Sequence, residues 1–284
     1  MSIELFNQEA VQLDDLGQHP QIPTLLAYFT QDDIQYLLQE FIDGPNLDAE
    51  LRQNGAYSEA QIWQLLRELL PVLQFCHARG VIHRDIKPEN ILRDRYGKLV
   101  LVDFGACKSA TGTALNKTGT SIGTPEYVAP EQIRGRAIFA SDIYSLGATC
   151  VHLLTARSPF DSYDINHDSW NWQQHLQTPL SSGLNSLLQK MLVSIPMHRY
   201  QTVDAVLQDL HQQSPPVTIV KPKSLPKPLS EIDLELEELK TQFLGGAKPQ
   251  KPQPPKTSSP PAKNSVIDKE LEELKAEYLR NQNP

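Results

Sequence analysis

GVIHRDIKPENIL, Gly80 to Leu92, sets a histidine, an arginine, an aspartate, a lysine and an asparagine in a row between apolar residues. Upstream, Ser58 and Gln61 have the spacing of a capping box, and the apolar pattern that follows predicts a long helix running to Ala78. Pro71 marks a point where that helix can bend, and Gly80 ends it. The stretch therefore opens a loop that follows a buried helix. Downstream, the apolar run KLVLV reads as a strand that delivers Asp103, Phe104 and Gly105 beyond Asn90.

Phosphoryl transfer asks little covalent work of a protein. It needs a base for the hydroxyl proton, cations to neutralise phosphate charge, and rigid positioning. Asp85 can accept a proton from a hydroxyl, and Lys87 can neutralise charge on a transferred phosphoryl group. Asn90 offers a neutral oxygen and Asp103 a carboxylate, a small set of hard oxygen ligands that suits Mg²⁺.

The chain has 284 residues, 39% of them apolar, enough for a core in one or two domains. Cys76, Cys107 and Cys150 follow no metal-like spacing and stand in apolar surroundings, so reduced, buried thiols and a cytoplasmic setting are expected. No apolar run reaches the roughly 20 residues of a membrane span. Residues 1–213 are acidic and the formal net charge of the chain is −8, which argues against a nucleic-acid partner.

Composition changes near Gln213. PPVTIVKPKSLPKPL and the later GGAKPQKPQPPKTSSPPAKN are rich in Pro and Lys and read as extended linkers, which puts a boundary between residues 1–213 and 214–284. Within the tail, SEIDLELEELKTQFL (230–244) and SVIDKELEELKAEYL (265–279) form a repeat. Each places apolar residues on one helical face, and a helix this short needs a partner surface to be well populated. The partner is either another protein, the other repeat or the chain's own domain. In residues 1–213 the pattern is a helix from Leu5 to Leu16 stopped by Gly17, a hairpin of TLLAYFT and IQYLLQEFI around Gln31-Asp32-Asp33, and then mostly helices. Asn46 caps a helix ending near Gly55, and SDIYSLGATCVHLLT is apolar on most sides, as a central helix should be.

HRDIKPEN at 83–90, DFG at 103–105 and APE at 129–131 occur in the order found in protein kinases, and GTPEYVAPE ahead of SDIYSLG is similar to the serine/threonine class. Residues 1–213 resemble the eukaryotic-like serine/threonine protein kinases of bacteria, cyanobacterial members in particular. The resemblance implies an α+β protein-kinase-like fold with a mostly helical large lobe (44–213), an incomplete small lobe (1–43) and a disordered tail with two short helices. It implies ATP and Mg²⁺ as cofactors and protein substrates, with neither membrane nor nucleic acid as partner. Asp85 becomes the catalytic base, Lys87 the phosphate contact, and Asn90 and Asp103 the magnesium ligands. Glu40 to Ile42 become the hinge that meets adenine, with Gln39 before it as gatekeeper and Leu92 beneath the base. Arg84 would neutralise a phosphorylated loop carrying Thr118, Thr120 and Ser121, and Thr124 belongs to the substrate-docking segment. Glu131 with Arg199, and Asp142, are structural by the same likeness, as is His83.

Glu9 looks like the helix glutamate that pairs with a strand lysine in this family. No lysine precedes Lys87, however, and no Gly-x-Gly occurs anywhere in the chain. The expectation is therefore a kinase truncated at its N-terminus, lacking the glycine-rich loop and first strands. The alternative is a pseudokinase or gene fragment that binds partners through its large lobe and tail repeats.

Overall fold

The computed structural model describes residues 13–31, 34–104, 108–109, 124–164 and 166–213. Glu9, Asp32, Asp33, Gly105, Cys107, Thr118, Thr120, Ser121 and both tail repeats lie outside the described residues.

Residues 13–16 form a helical turn, closed by a Gly17 N–H to Leu13 carbonyl bond of 2.8 Å. An antiparallel hairpin follows, β1 (Leu25–Gln31) and β2 (Ile34–Gln39). The second strand stops at Gln39, short of the Ile42 expected from its apolar run. Pairing ends because Glu40 makes the last cross-strand bond, its N–H to the Thr24 carbonyl at 2.8 Å, and the next residue on the partner side is Pro23. Leu25 and Leu37 pack on the core, whereas Ile34, Tyr36 and Leu38 alternate with Leu37 onto the other face and are exposed, as are Leu26 and Tyr28.

Beyond the hairpin the fold is mostly helical. Helix α1 (Leu47–Asn54) starts at Asn46, whose side chain accepts from the Ala49 N–H at 2.8 Å, and ends at Gly55 with φ +78°. Helix α2 (Glu59–Ala78) has the capping box of Ser58 and Gln61, and it continues through Pro71. Nine of its side chains are buried, so tertiary packing outweighs the backbone bond that the proline cannot make. Three short strand pairs surround the loops: β3 (Val81–Ile82) with β6 (Lys108–Ser109), β4 (Ile91–Arg93) with β5 (Leu99–Leu101), and β7 (Tyr163–Asp164) with β8 (Ser169–Trp170). The short α3 (Pro130–Ile133) precedes the central α4 (Phe139–Thr155), which is buried at fifteen of its positions. Helices α5 (Ser182–Met191) and α6 (Val203–Gln213) complete the packing around α2 and α4. Gly147 of α4 lets α5 approach closely; a β-carbon there would lie 3.1 Å from the Met191 side chain.

Cys76 and Cys150 are both buried free thiols, as expected, and burial pushes the Cys76 thiol up to about 12. Among the described residues no helix is long and apolar enough to cross a membrane.

Candidate active site

The loop between β3 and β4 is built from its backbone outward. His83 is fully buried; its Nε2 lies 3.1 Å from the Val102 carbonyl and its ring stands edge-on to Phe104. That contact makes Nε2 the protonated nitrogen and leaves Nδ1 to accept from the Asp85 N–H at 3.4 Å. Burial lowers the His83 pKa below its ordinary 6.5, which keeps this neutral tautomer. Arg84 adopts φ +72°, a left-handed conformation that residues with a β-carbon seldom take. The buried Asp142 of α4 holds it there, one carboxylate oxygen accepting the His83 N–H and the other the Arg84 N–H, each at 2.9 Å. His77 of α2 lies 2.8 Å from the same carboxylate. Burial alone would raise the Asp142 pKa, but His77, His83 and the Arg84 N–H together hold it below its ordinary value.

The left-handed turn presents Asp85 to four donors. Its Oδ1 accepts the Thr124 N–H at 2.9 Å and the Thr124 hydroxyl at 3.1 Å; its Oδ2 meets Lys87 Nζ at 2.9 Å and Asn90 Nδ2 at 3.0 Å. Lys87 Nζ also donates to Thr124 Oγ at 2.7 Å, which closes a ring of three side chains. Burial would raise the Asp85 pKa, yet the hydrogen bond and charge of Lys87, with the two Thr124 bonds, keep it below its ordinary value. The carboxylate is thus ionised at neutral pH and its orientation is fixed.

Asn90 donates to both the Asp85 carbonyl (2.8 Å) and its carboxylate, so the amide oxygen is the atom left for a ligand. Its own carbonyl accepts the Val102 N–H at 2.9 Å and ties the loop to the strand that delivers Asp103. Asp103 is exposed with φ +64°, between the half-buried Val102 and the buried Phe104. Among the described residues no group of three His, Cys, Asp or Glu side chains is placed to hold a metal. One amide oxygen and one carboxylate fit Mg²⁺, which keeps several waters and takes the rest of its shell from phosphate.

The remaining expected site residues lie where the hairpin enters the helical part. Gln39 ends β2 and is half-buried. Glu40 is exposed, and its carboxylate accepts from both the N–H and the hydroxyl of Thr24 at 3.3 Å. Ile42 is half-buried, and neither its N–H nor its carbonyl takes part in a backbone hydrogen bond among the described residues. The next segment lies directly on β4. Asn46 pairs with Leu92, the Arg93 N–H donates to the Pro45 carbonyl, and a β-carbon on Gly44 would lie 1.9 Å from the Arg93 carbonyl oxygen.

Glu131 and Arg199 form a buried two-point ion pair, 2.8 and 3.2 Å, and Ser141 Oγ donates to the same carboxylate at 2.7 Å. Burial would raise the Glu131 pKa, but Arg199 and Ser141 hold it down. Two side chains matter more than their sequence suggested. Thr124 reads as a class marker in GTPEY, yet it touches both Asp85 and Lys87. Gln132, fully buried behind APE, donates to the Arg84 carbonyl at 2.6 Å, and no spacing or periodicity in the sequence points to it.

Residues 2–211 match the family described as Protein kinase domain. The chain is 40% identical over 225 residues to serine/threonine-protein kinase F of Synechocystis sp. (strain ATCC 27184 / PCC 6803 / Kazusa), covering 74% of this chain and 45% of that protein. It is also 40% identical over 214 residues to serine/threonine-protein kinase PknA of Nostoc sp. (strain PCC 7120 / SAG 25.82 / UTEX 2576), covering 73% and 38%. Serine/threonine-protein kinase PrkC of Bacillus subtilis (strain 168) is 31% identical over 219 residues, with 73% and 33% covered. The chain thus spans less than half the length of each of these relatives. With that match across the catalytic loop, its brace and the helical lobe that holds them, the chain belongs to the protein kinase domain family.

Proposed function

We propose that the chain carries the phosphotransfer machinery of a serine/threonine protein kinase, moving the γ-phosphate of ATP to serine or threonine hydroxyls of proteins in signalling. The observation that carries this reading is the ring of Asp85, Lys87 and Thr124, with Asn90 bonded to the same carboxylate.

Asp85 orients the acceptor hydroxyl and takes its proton as the new oxygen–phosphorus bond forms and the bond from the γ-phosphorus to the bridging oxygen breaks, releasing ADP. Its low pKa means that the proton moves late, when the hydroxyl has become acidic. Lys87, held between Asp85 and Thr124, is placed to neutralise charge on the transferred phosphoryl group. Thr124 links the carboxylate to the activation segment, the stretch that ends at Ala129-Pro130-Glu131, so the base is set only when that segment is docked. Asn90 and Asp103 are the residues that would hold Mg²⁺, which when bound neutralises phosphate charge. Gln39, Glu40, Ile42 and Leu92 would border the adenine, and the backbone groups of Ile42, which make no backbone–backbone hydrogen bond among the described residues, suit an adenine edge. Glu9 would serve as the helix glutamate. The tail repeats, 230–244 and 265–279, would dock a partner protein, and the cytoplasm is the expected setting.

The alternative reading is the pseudokinase or gene fragment. In it, the chain works as a binding or scaffold protein through its large lobe and tail. Labelled ATP, Mg²⁺ and casein separate the two. The kinase reading expects phosphoserine or phosphothreonine on casein, reduced about 10²- to 10⁴-fold in Asp85→Asn. Equal labelling by both proteins, or none by either, would sink phosphotransfer for this chain and leave the scaffold reading.

A further inference from the structure

We propose that Gln132 is a positioning residue that locks the peptide unit between Arg84 and Asp85, and so couples the end of the activation segment to the orientation of the catalytic carboxylate. The inference rests on the reading of Asp85 as the base.

The carbonyl of Arg84 and the N–H of Asp85 belong to one rigid plane. Gln132 Nε2 donates to the carbonyl at 2.6 Å, and His83 Nδ1 accepts from the N–H at the longer distance of 3.4 Å. The preceding plane is held separately by Asp142, which accepts the Arg84 N–H. Both planes around a left-handed, non-glycine residue are therefore pinned by side chains, and the stronger contact on the Asp85 side is Gln132. Without it, that plane can rotate toward a more ordinary backbone conformation, and the Asp85 carboxylate would swing away from Thr124 and Lys87.

Gln132 is itself held in place by its neighbours. Glu131, the preceding residue of α3, is bonded to Arg199 and to Ser141, and Ser141 directly precedes Asp142 on α4. Adjacent residues of α3 thus meet both parts of one brace: Glu131 meets Ser141, next to Asp142, and Gln132 meets the Arg84 turn that Asp142 holds. A shift of α3 moves both contacts together. Gln132 is fully buried, so a lost donor there leaves the Arg84 carbonyl without water as a substitute.

Hydrogen exchange and carbonyl NMR on the full chain test this without any need for phosphotransfer, so failure here is distinct from failure of the kinase reading. Gln132→Met keeps the length of the side chain and removes the donor. The expected result is about tenfold lower protection of the Asp85 amide and an upfield move of the Arg84 carbonyl carbon, with the Leu69 and Leu187 amides unchanged. Wild-type protection at Asp85 with an unmoved carbonyl signal would overturn the proposal. Should Gln132→Met lose protection throughout the core, Gln132→His gives the decision, since its ring N–H has a similar reach. Protection at Asp85 within about twofold of wild type is then expected, and a loss of about tenfold or more overturns the proposal.

Discussion

The sequence named Glu131 and Arg199 only through likeness to a family, and what makes their contact strong is assembled from four separate segments. Nη1 and Nη2 meet the two oxygens of Glu131, Nη1 also donates to the Ala140 carbonyl at 2.8 Å, and Nε donates to the Val193 carbonyl at 2.9 Å. Arg199 is 3% exposed, so removing its partner strands a charge that water cannot reach. Glu131→Gln should therefore lower the free energy of unfolding by about 3–5 kcal/mol, read from the urea midpoint. A loss under about 1 kcal/mol would mean that the pair is solvated in solution. Residues contiguous in the chain were the legible ones. Asp85, Lys87 and Asn90 stand within six positions, and their chemistry could be read directly. Thr124 and Gln132 reach the same loop from far along the chain, and no local pattern encodes that meeting.

At the level of elements, caps and periodicity carried well. Asn46, Ser58 with Gln61, and Gly55 bound helices α1 and α2 where their side chains and conformations require. The end of β2 was not legible, because it depends on where Thr24 and Pro23 stand on the neighbouring strand. Gly44 shows the same limit. In the structure it is a point of contact, because any β-carbon would collide with the Arg93 backbone. Gly44→Ala must push the segment after Ile42 away from β4, at a cost of about 1–3 kcal/mol from overpacking. The checks are a lower melting temperature and weaker protection of the Leu92 and Arg93 amides. Unchanged values at both would show that the loop can yield freely.

For the whole molecule, buried titrating groups set a two-stage acid response. His83 and His152 both have pKa values lowered, chiefly by burial. The unfolded chain therefore binds protons that the folded one refuses as pH falls below about 6.5, and stability drops in that range. At its steepest, the fully buried His83 contributes about 1.4 kcal/mol per pH unit. Asp85, Asp142 and Glu131 have pKa values held below ordinary, so their contribution is intact above roughly pH 4.5 and is lost as pH falls through their folded values. Urea midpoints between pH 8 and 3 should be flat above about 7, decline from about 6.5, and decline again below about 4.5. A flat profile from 7 to 5 would contradict the buried neutral histidines. The hairpin adds a different feature at this scale, since Leu26, Tyr28, Ile34, Tyr36 and Leu38 are exposed on what is, among the described residues, a two-stranded sheet, which has little independent stability.

The sequence alone determined the family, the order of the loop residues, the caps of α1 and α2 and the acidic character of the first 213 residues. These are short-range properties, since caps, periodicities and motif spacings each involve residues within a few turns of one another. Only the tertiary structure decided which groups hold Asp85. Thr124, Gln132 and Asp142 are brought to GVIHRDIKPENIL by the packing of α3 and α4 against the loop, and hydrogen bonds between distant segments leave no periodic trace in the chain.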